Sequence, residues 1–173
     1  VGEYGQSCLG RERMFQYFSE KFATPLCLIR LCYAIDLRYG VLLDICQKVA
    51  SGEPVNLAAG YVNVIWQGDA NSHILRSFTL CTPGGEIVNV TGPEAASVRS
   101  LALQFGALLG KEPVFSGAEP ETALLADASK CQHLFGYPRV TLARMIRWTV
   151  AWYRAGGVFF DKPTHFETRD GRF

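Results

Sequence analysis

The sequence predicts an α/β fold, because segments with helical periodicity alternate with short runs that have the character of buried strands. Leu26–Ile35 is a nearly continuous apolar run, and Glu86–Gly92 is a second candidate for a strand covered on both faces. Such strands are typical of a parallel sheet. Two parallel strands do not form a stable sheet alone, so we expect the chain to be the second part of a larger fold.

The first half of the chain contains two predicted helices. Tyr4–Phe22 carries apolar residues at helical spacing, and Thr24-Pro25 stops the helix. After the first strand, helical spacing returns in "VLLDICQKV", which begins at Val41 and is closed by Gly52. A helix, a strand and a helix are therefore expected in this order as far as Gly52.

The second half contains three more predicted helices, each with a typical capping residue at its start and a glycine at its end. The start and end residues are Ser97 and Gly110, Asp127 and Gly136, and Thr141 and Gly156. The tail, residues 155–173, mixes aromatic and charged residues without periodicity. We expect it to pack over the domain or a partner subunit rather than to carry chemistry.

The composition excludes several classes of function. The chain has 173 residues, 49% of them apolar, and a net charge of +1, which gives no global field for nucleic acid or an anionic membrane. The sequence has no run of about 18 apolar residues that could span a membrane. We expect no signal peptide, because no basic stretch followed by an apolar run opens the sequence. We expect a cytoplasmic protein without nucleic-acid or membrane partners, and a missing segment before Val1.

The cysteines and histidines show no C-x-x-C pair and no metal-binding spacing. They are Cys8, Cys27, Cys32, Cys46, Cys81 and Cys131, with His73, His133 and His165. We expect reduced, mostly buried thiols and no metal site. The chain also lacks G-x-G-x-x-G, P-loop and G-x-S-x-G motifs. It therefore does not contain the glycine turn that binds the pyrophosphate of a dinucleotide.

The order of six segments along the chain is more informative than any one of them. They are "EYGQSCLGRE", "CLIRLCYAIDLRYG", "GYVNVIWQGDAN", "EIVNVTGPE", "LLADASKCQHLFGYPRVTL" and "MIRWTVAWYR". In this succession they resemble the C-terminal portion of an NAD(P)-dependent epimerase/dehydratase, that is, of an extended short-chain dehydrogenase/reductase. The resemblance covers roughly residues 3–154.

The resemblance implies the last segments of a Rossmann-type parallel sheet, interleaved with a small α/β substrate-binding subdomain. Residues 1–35 and 64–92 would be the Rossmann pieces, residues 36–63 and 93–154 the substrate-binding subdomain, and residues 155–173 a tail. The N-terminal part, which would hold most of the NAD or NADP cofactor, would precede Val1 or be a separate polypeptide. The fragment alone is expected to be inactive.

Tyr4 is the catalytic candidate that the resemblance implies. It stands at the start of its helix, where the family has its general acid/base, with Ser7 as a neighbour that would orient the substrate. Tyr17 and Lys21 have the family's tyrosine–lysine spacing, but they lie at the end of the helix, too near the next strand. Cys8 occupies the position of the family's lysine.

Cys8 leaves two functions open. A lysine cation favours the phenolate of a tyrosine, whose ordinary pKa is ~10, whereas a neutral thiol does not and a thiolate opposes it. The chain is either part of an oxidoreductase or epimerase in which the charge of the nicotinamide or another cation helps Tyr4, or a non-catalytic relative that binds a ligand or partner. An unrelated α/β module is a third interpretation, which the scarcity of strands disfavours.

Candidate substrate-binding residues follow the first strand. Tyr33, Asp36 and Arg38 lie at the carboxyl end of a predicted parallel strand, where α/β folds bind ligands, and Asn63 would line the same cleft. Each has an alternative interpretation. Tyr33 could be a packed aromatic residue, Asp36 and Arg38 a local surface pair, and Asn63 a turn residue.

The expected substrate is a small hydroxylated molecule. Val62 stands where relatives acting on nucleotide sugars have an arginine, and no basic residue lies between Lys111 and Lys130. A diphosphate would lose charge-assisted hydrogen bonds without these cations, so a sugar or sugar acid fits better. The resemblance also implies a homodimer through the Tyr4–Phe22 helix, although the same apolar residues could cover the missing domain.

Overall fold

The computed structural model describes residues 2–168, which form six α-helices, eight short strands and a 3₁₀ turn at Ser77–Leu80. The helices are α1 (Glu3–Phe22), α2 (Val41–Ser51), α3 (Gln67–Arg76), α4 (Val98–Leu109), α5 (Ser129–Phe135) and α6 (Leu142–Arg154). The strands are β1 (Cys27–Leu31), β2 (Ala34–Ile35), β3 (Val55–Asn56), β4 (Tyr61–Val62), β5 (Ile65–Trp66), β6 (Glu86–Val90), β7 (Ala96–Ser97) and β8 (Phe115–Ser116).

The longest strand pair is parallel and joins β1 to β6, with Cys27 opposite Glu86 and Leu31 opposite Val90. Three pairs of two residues each complete the pairing: β2 with β5 and β3 with β8 are parallel, and β4 with β7 is antiparallel. Helices alternate with these strands along the chain. The predicted α/β class is therefore confirmed.

The apolar run Leu26–Ile35 is not the single strand that the sequence predicted. Strand β1 ends at Leu31 and β2 begins at Ala34, and Tyr33 between them has a backbone φ of 41°. A residue in this left-handed region cannot continue an extended strand. The strand is thus divided at one of the candidate ligand-binding residues.

Side chains cap helices close to the positions expected from the sequence. The Ser97 and Thr141 hydroxyls each accept a hydrogen bond from the backbone N–H three residues later, both at 3.3 Å. The Asp127 carboxylate accepts from the backbone N–H two residues later at 2.9 Å, but the N-cap position of α5 belongs to Ala128. Asp127 therefore stabilises the first turn of α5 from one residue further upstream.

Helix α3 was not expected from the sequence. Its first residues, "QGDANS", are small or polar and include few strong helix formers, so no apolar stripe signals the helix. Tertiary contacts supply what propensity does not: Ala70 and His73 are buried, and the Asp69 carboxylate accepts a hydrogen bond from the Val140 N–H at 2.8 Å.

Two clusters of buried residues form the core. The larger lies among α2, α4 and α6 and includes Ile45, Leu57, Leu101, Phe105 and Met145. The smaller lies against β1 and β6 and consists of Ile65, Ala70, Val88, Val90, Ala128 and Cys131. The subdomain boundaries implied by the resemblance stay a prediction.

Helix α1 lies largely on the outside of the described structure. Ser19 is its one buried residue, and the Ser19 hydroxyl donates to the Thr24 carbonyl at 2.6 Å and accepts from the Gly84 N–H at 3.0 Å. The Arg30 guanidinium of β1 donates two hydrogen bonds to Glu12, at 2.6 and 2.9 Å. The other face of α1 exposes Leu9, Met14, Phe15, Tyr17, Phe18 and Phe22. No helix among residues 2–168 has the length and apolar character to cross a membrane.

Candidate functional site

A cavity of about 480 Å³, which we call the tyrosine cavity, opens near the carboxyl end of β1. Four tyrosines from three parts of the chain line it: Tyr4 of α1, Tyr33 and Tyr39 after β1, and Tyr61 of β4. Ala59, Val62, Leu124 and six residues between Lys162 and Thr168 complete the wall. Two predicted site residues, Tyr4 and Tyr33, are therefore brought together across 29 positions of sequence.

Tyr4 presents its ring from the first turn of α1 and is 63% exposed. The Ser7 hydroxyl donates to the Tyr4 carbonyl oxygen at 2.7 Å, so Ser7 stabilises the helix turn that carries the tyrosine. Cys8 is partly buried and, like Ser7, is not among the described residues that line the tyrosine cavity. The Tyr4 phenol therefore lines the cavity, whereas the Cys8 thiol of the same helix does not.

Tyr33 combines an unusual backbone with a partly buried ring. Burial, with smaller effects from Cys32 and Glu167, raises the pKa of the Tyr33 hydroxyl. The phenol therefore stays protonated at neutral pH and can donate a hydrogen bond into the cavity. A left-handed backbone at a residue other than glycine costs about 1–3 kcal/mol and is often found where a side chain is aimed at a site.

Asp36 and Arg38 bind each other. The guanidinium of Arg38 donates to both carboxylate oxygens of Asp36, at 2.9 and 3.0 Å, and the Arg38 N–H donates at 2.8 Å. These hydrogen bonds hold the pKa of the Asp36 carboxyl below its usual range. Arg38 also covers the ring of Phe160 at 4.7 Å. This geometry agrees with a local pair, and neither residue lines the tyrosine cavity.

Asn63 is 5% exposed and does not line the tyrosine cavity. Its amide nitrogen donates to the Ala126 carbonyl at 2.8 Å, and its amide oxygen accepts from the Ala126 N–H at 3.4 Å. The Thr91 hydroxyl donates to the Asn63 carbonyl at 3.1 Å. Asn63 therefore joins the end of β4, the end of β6 and the segment before α5, and its amide is occupied by these contacts.

A second cavity of about 470 Å³, the polar cavity, lies between α2 and the segment after α6. Its wall mixes charges of both signs, including Arg38, Asp44, Lys48, Asp161 and Glu167. Burial raises the pKa of the Asp44 carboxyl, although hydrogen bonds from Thr164 act in the opposite direction. Lys162, Pro163 and His165 line both cavities and so form the wall between them.

Residues 158–168, which we call the C-terminal strap, are fixed to the core at several points. Phe166 is 4% exposed and belongs to the larger core cluster. Thr164 donates to the Asp44 carboxylate through its N–H at 3.0 Å and its hydroxyl at 2.5 Å, and Lys48 pairs with Glu167 at 3.0 Å. The predicted packing of the tail over the domain is observed for these residues.

The strap also supplies cavity-lining residues that sequence reasoning did not select. Lys162 and His165 bring basic side chains to the tyrosine cavity. The signal in the sequence was the aperiodic mixture of aromatic, basic and hydroxyl side chains after the last helix. Residues 169–173, the end of the predicted tail, lie outside the described residues.

The described residues fit a nicotinamide dinucleotide only in part. Tyr4 presents a phenol at a cavity, but Cys8 supplies no cation and the sequence has no glycine-rich phosphate turn. Within residues 2–168, no group of three or more His, Cys, Asp or Glu side chains could hold a metal ion. All six cysteines are free thiols, but the expectation that most are buried is wrong: Cys46 and Cys131 are buried, and the other four are partly exposed.

Comparison with solved structures gives strong matches. UDP-glucose 4-epimerase from Thermus thermophilus, in complex with NAD, is 20% identical with a TM-score of 0.67, over 83% of this chain and 51% of that one. UDP-glucuronic acid 4-epimerase from Bacillus cereus, also with NAD, is 18% identical with a TM-score of 0.75, over 90% and 53%. The dTDP-glucose 4,6-dehydratase from Bacillus anthracis, with NAD, is 19% identical with a TM-score of 0.70, over 90% and 53%.

Comparison of the sequence alone gives nothing similar. No protein-family model matches it, and no curated protein matches it significantly. The chain spans about half the length of the solved structures that it matches. These identities are low, so the likeness concerns the fold. The chain has the fold of the C-terminal portion of the sugar-nucleotide epimerases and dehydratases.

Proposed function

We propose that this chain is the C-terminal, substrate-binding portion of an NAD(P)-dependent oxidoreductase that epimerises or dehydrates a small hydroxylated, sugar-like molecule. One observation carries the proposal: in a chain with this fold, Tyr4 and Tyr33 line one cavity at the carboxyl end of β1. Its volume of about 480 Å³ is within the range of small-molecule sites. Val62 brings an apolar side chain, not a cation, to the wall.

Tyr4 is the general acid/base in this proposal. Its phenol takes a proton from a substrate hydroxyl or returns one, while a bound nicotinamide supplies the capacity to accept or donate a hydride. Lowering a phenol pKa from ~10 to about 7 requires roughly 4 kcal/mol of preferential phenolate stabilisation. Cys8 does not supply it, because a neutral thiol carries no positive charge. Alone, the chain is expected to be inactive without the part that binds the dinucleotide.

The second candidate is a non-catalytic relative that kept the cavity to bind a ligand or partner. Cys8 favours it, because the residue four positions after Tyr4 is a thiol where the family resemblance implies a lysine. Both candidates predict ligand binding in the tyrosine cavity. They differ in whether the full-length protein transfers a hydride.

The distinguishing experiment measures NAD(H) binding and turnover of a panel of sugars by the full-length protein and its variants. We expect Tyr4→Phe to lower turnover by about a hundredfold or more, as for the loss of a general acid/base, with sugar binding retained. Tyr17→Phe is the matched control, because Tyr17 lies on the same helix outside the cavity. Equal losses in both variants would contradict the role of Tyr4.

Cys8→Lys separates the two candidates further. If the wild type binds NAD(H) without turnover and Cys8→Lys gains activity, the protein is a disabled enzyme. This result supports the second candidate, the non-catalytic relative. Should wild-type turnover be present and depend on Tyr4, the first candidate is supported. Cofactor binding with no turnover in either protein would contradict the oxidoreductase proposal.

We also propose a cytoplasmic homodimer that pairs through α1. The support is the row of exposed apolar residues on that helix, including Phe15 and Phe18, which a second copy of α1 would cover. A part of the protein that precedes this chain would cover some of the same surface. Sedimentation of the full-length protein as a monomer would contradict the proposal.

A further inference from the structure

The wall of the tyrosine cavity is unbalanced in charge. Of its thirteen described residues, Lys162 and His165 are basic and none is acidic. Six others carry hydroxyl groups: four tyrosines and two threonines. A wall of hydroxyls and basic groups without a carboxylate favours a ligand that accepts hydrogen bonds and carries negative charge.

We propose that the tyrosine cavity takes a small sugar-like molecule with an anionic group, a carboxylate or a phosphate, and that Lys162 and His165 bind this group. The inference rests on the proposed function for the sugar-like body of the ligand. The anionic preference rests on the cavity wall. Val62 contributes an apolar side chain to the wall. Among the described residues, the positive charge in the wall therefore comes from the strap.

The strap holds its basic side chains in a defined place. Phe166 is anchored in the core beside His165, and Thr164 is bound to Asp44 between Lys162 and Phe166. His165 has a left-handed backbone with φ of 52°, a conformation that persists only where the surroundings impose it. The packing of the strap therefore fixes the backbone positions from which Lys162 and His165 reach the cavity wall.

Two of the four carboxylates that line the polar cavity together with Lys162 and His165 have other partners. Asp44 accepts two hydrogen bonds from Thr164, and Glu167 pairs with Lys48. Within residues 2–168, no ion pair joins Lys162 or His165 to a carboxylate. The charge of Lys162 thus remains available to a ligand.

The test compares ligands that differ in charge but share a ring. Isothermal titration of the full-length protein with D-glucose, D-glucuronate and D-glucose 6-phosphate measures the preference directly, and inorganic phosphate is the fourth probe. We expect at least one anionic sugar to bind about tenfold or more tightly than glucose, the gain of one charge-assisted hydrogen bond. Which of the two binds better distinguishes a carboxylate ligand from a phosphate ligand.

Variants assign the preference to the strap. Lys162→Met is expected to remove about tenfold or more of the affinity for the anionic sugar and to leave glucose binding unchanged. Lys111→Met is the matched control, because Lys111 is exposed and lines neither cavity. His165→Gln gives a second, independent measure. Lys162 and His165 are exposed, so both variants should fold, which circular dichroism checks.

The outcomes separate this inference from the proposed function. Equal affinity for glucose and both anionic sugars would overturn the inference and leave a neutral sugar as substrate. Anion binding that survives both strap variants would also overturn it, because the anion would then be held by residues other than Lys162 and His165. Phosphate binding that Lys162→Met abolishes, with no sugar bound, would support the anionic site and count against the sugar-like substrate. Absence of binding by all four probes would overturn the inference.

Discussion

At Tyr33 the chain places a bulky aromatic residue in a left-handed backbone where a strand would otherwise continue. The sequence located this residue at the end of a strand and therefore near a ligand site, because that inference needs only local periodicity. The break between β1 and β2 could not be read from the sequence, since nothing in "RLCYAID" resembles a turn. Strain of this kind is visible only in the structure.

The role of Asn63 was also beyond the sequence. Its hydrogen-bond partner, Ala126, lies 63 positions away, and no local pattern predicts a contact over that distance. The sequence left cleft lining and a turn residue as alternatives for Asn63. The structure instead shows an amide occupied by the backbone of another segment.

We predict that Asn63→Ala destabilises the protein by about 2 kcal/mol or more. The substitution leaves the Ala126 carbonyl and N–H without their partner, and unsatisfied buried groups are costly. Urea denaturation measures the loss. Asn71→Ala, at an exposed position of α3, should change the free energy of unfolding by less than about 0.5 kcal/mol. A similar effect of both substitutions would show that the Asn63 contacts contribute little.

At the scale of elements, the sequence predicted what depends on neighbours along the chain. The caps at Ser97 and Thr141 and the parallel character of β1 and β6 follow from local signals. Helix α3 was missed because burial of Ala70 and His73 stabilises it. Burial depends on the folded chain and leaves no apolar stripe in this segment of the sequence. The two-residue strands β3, β4, β7 and β8 were missed because their pairing joins segments that are distant in sequence.

We predict that Ser97→Ala destabilises the protein by about 1 kcal/mol, the usual value of an N-cap. The serine hydroxyl accepts the Ser100 N–H, which would otherwise lack a partner inside the helix. Thermal unfolding monitored by circular dichroism measures the shift. Ser72→Ala, an exposed serine within α3, is the control. A shift no larger than that of the control would mean that water replaces the cap.

For the whole molecule, the C-terminal strap is the largest departure from expectation. Its packing over the domain was expected, but its place between two cavities was not. The strap follows α6 in sequence and contacts α2, more than a hundred residues earlier, through the Thr164–Asp44 hydrogen bonds. Such a contact depends on the complete topology of the chain, so the periodicity of the sequence cannot predict it.

The Asp44–strap contact gives a prediction for pH. Burial raises the Asp44 pKa above its ordinary value of 3.8, so the folded state binds this proton more tightly than the unfolded state does. Stability from this group is therefore present below pH 3.8 and is lost as pH rises through the raised pKa. Asp44→Asn should remove this loss, because an amide oxygen still accepts from Thr164 and carries no charge.

Urea denaturation between pH 3.5 and about 7 checks this prediction. The variant is expected to show a flatter dependence of unfolding free energy on pH than the wild type. Thr164→Val, which removes the hydroxyl that stabilises the carboxylate, should make the dependence steeper. Parallel pH profiles for wild type and Asp44→Asn would show that another group dominates.

Helix α1 is attached to the rest of the structure at its middle and its end, so a small tilt of the helix displaces Tyr4 in its first turn. Glu12 holds the middle of the helix to β1, and Ser19 holds its end to the turn before β6. Tyr4 lies eight residues before Glu12, roughly 12 Å along the axis. A tilt of about 5° about Glu12 would move the phenol by about 1 Å, and displacement on that scale can cost about a hundredfold in rate. Under the proposed function, a protein surface packed on the exposed face of α1 would therefore set the position of the Tyr4 phenol and couple assembly to proton transfer.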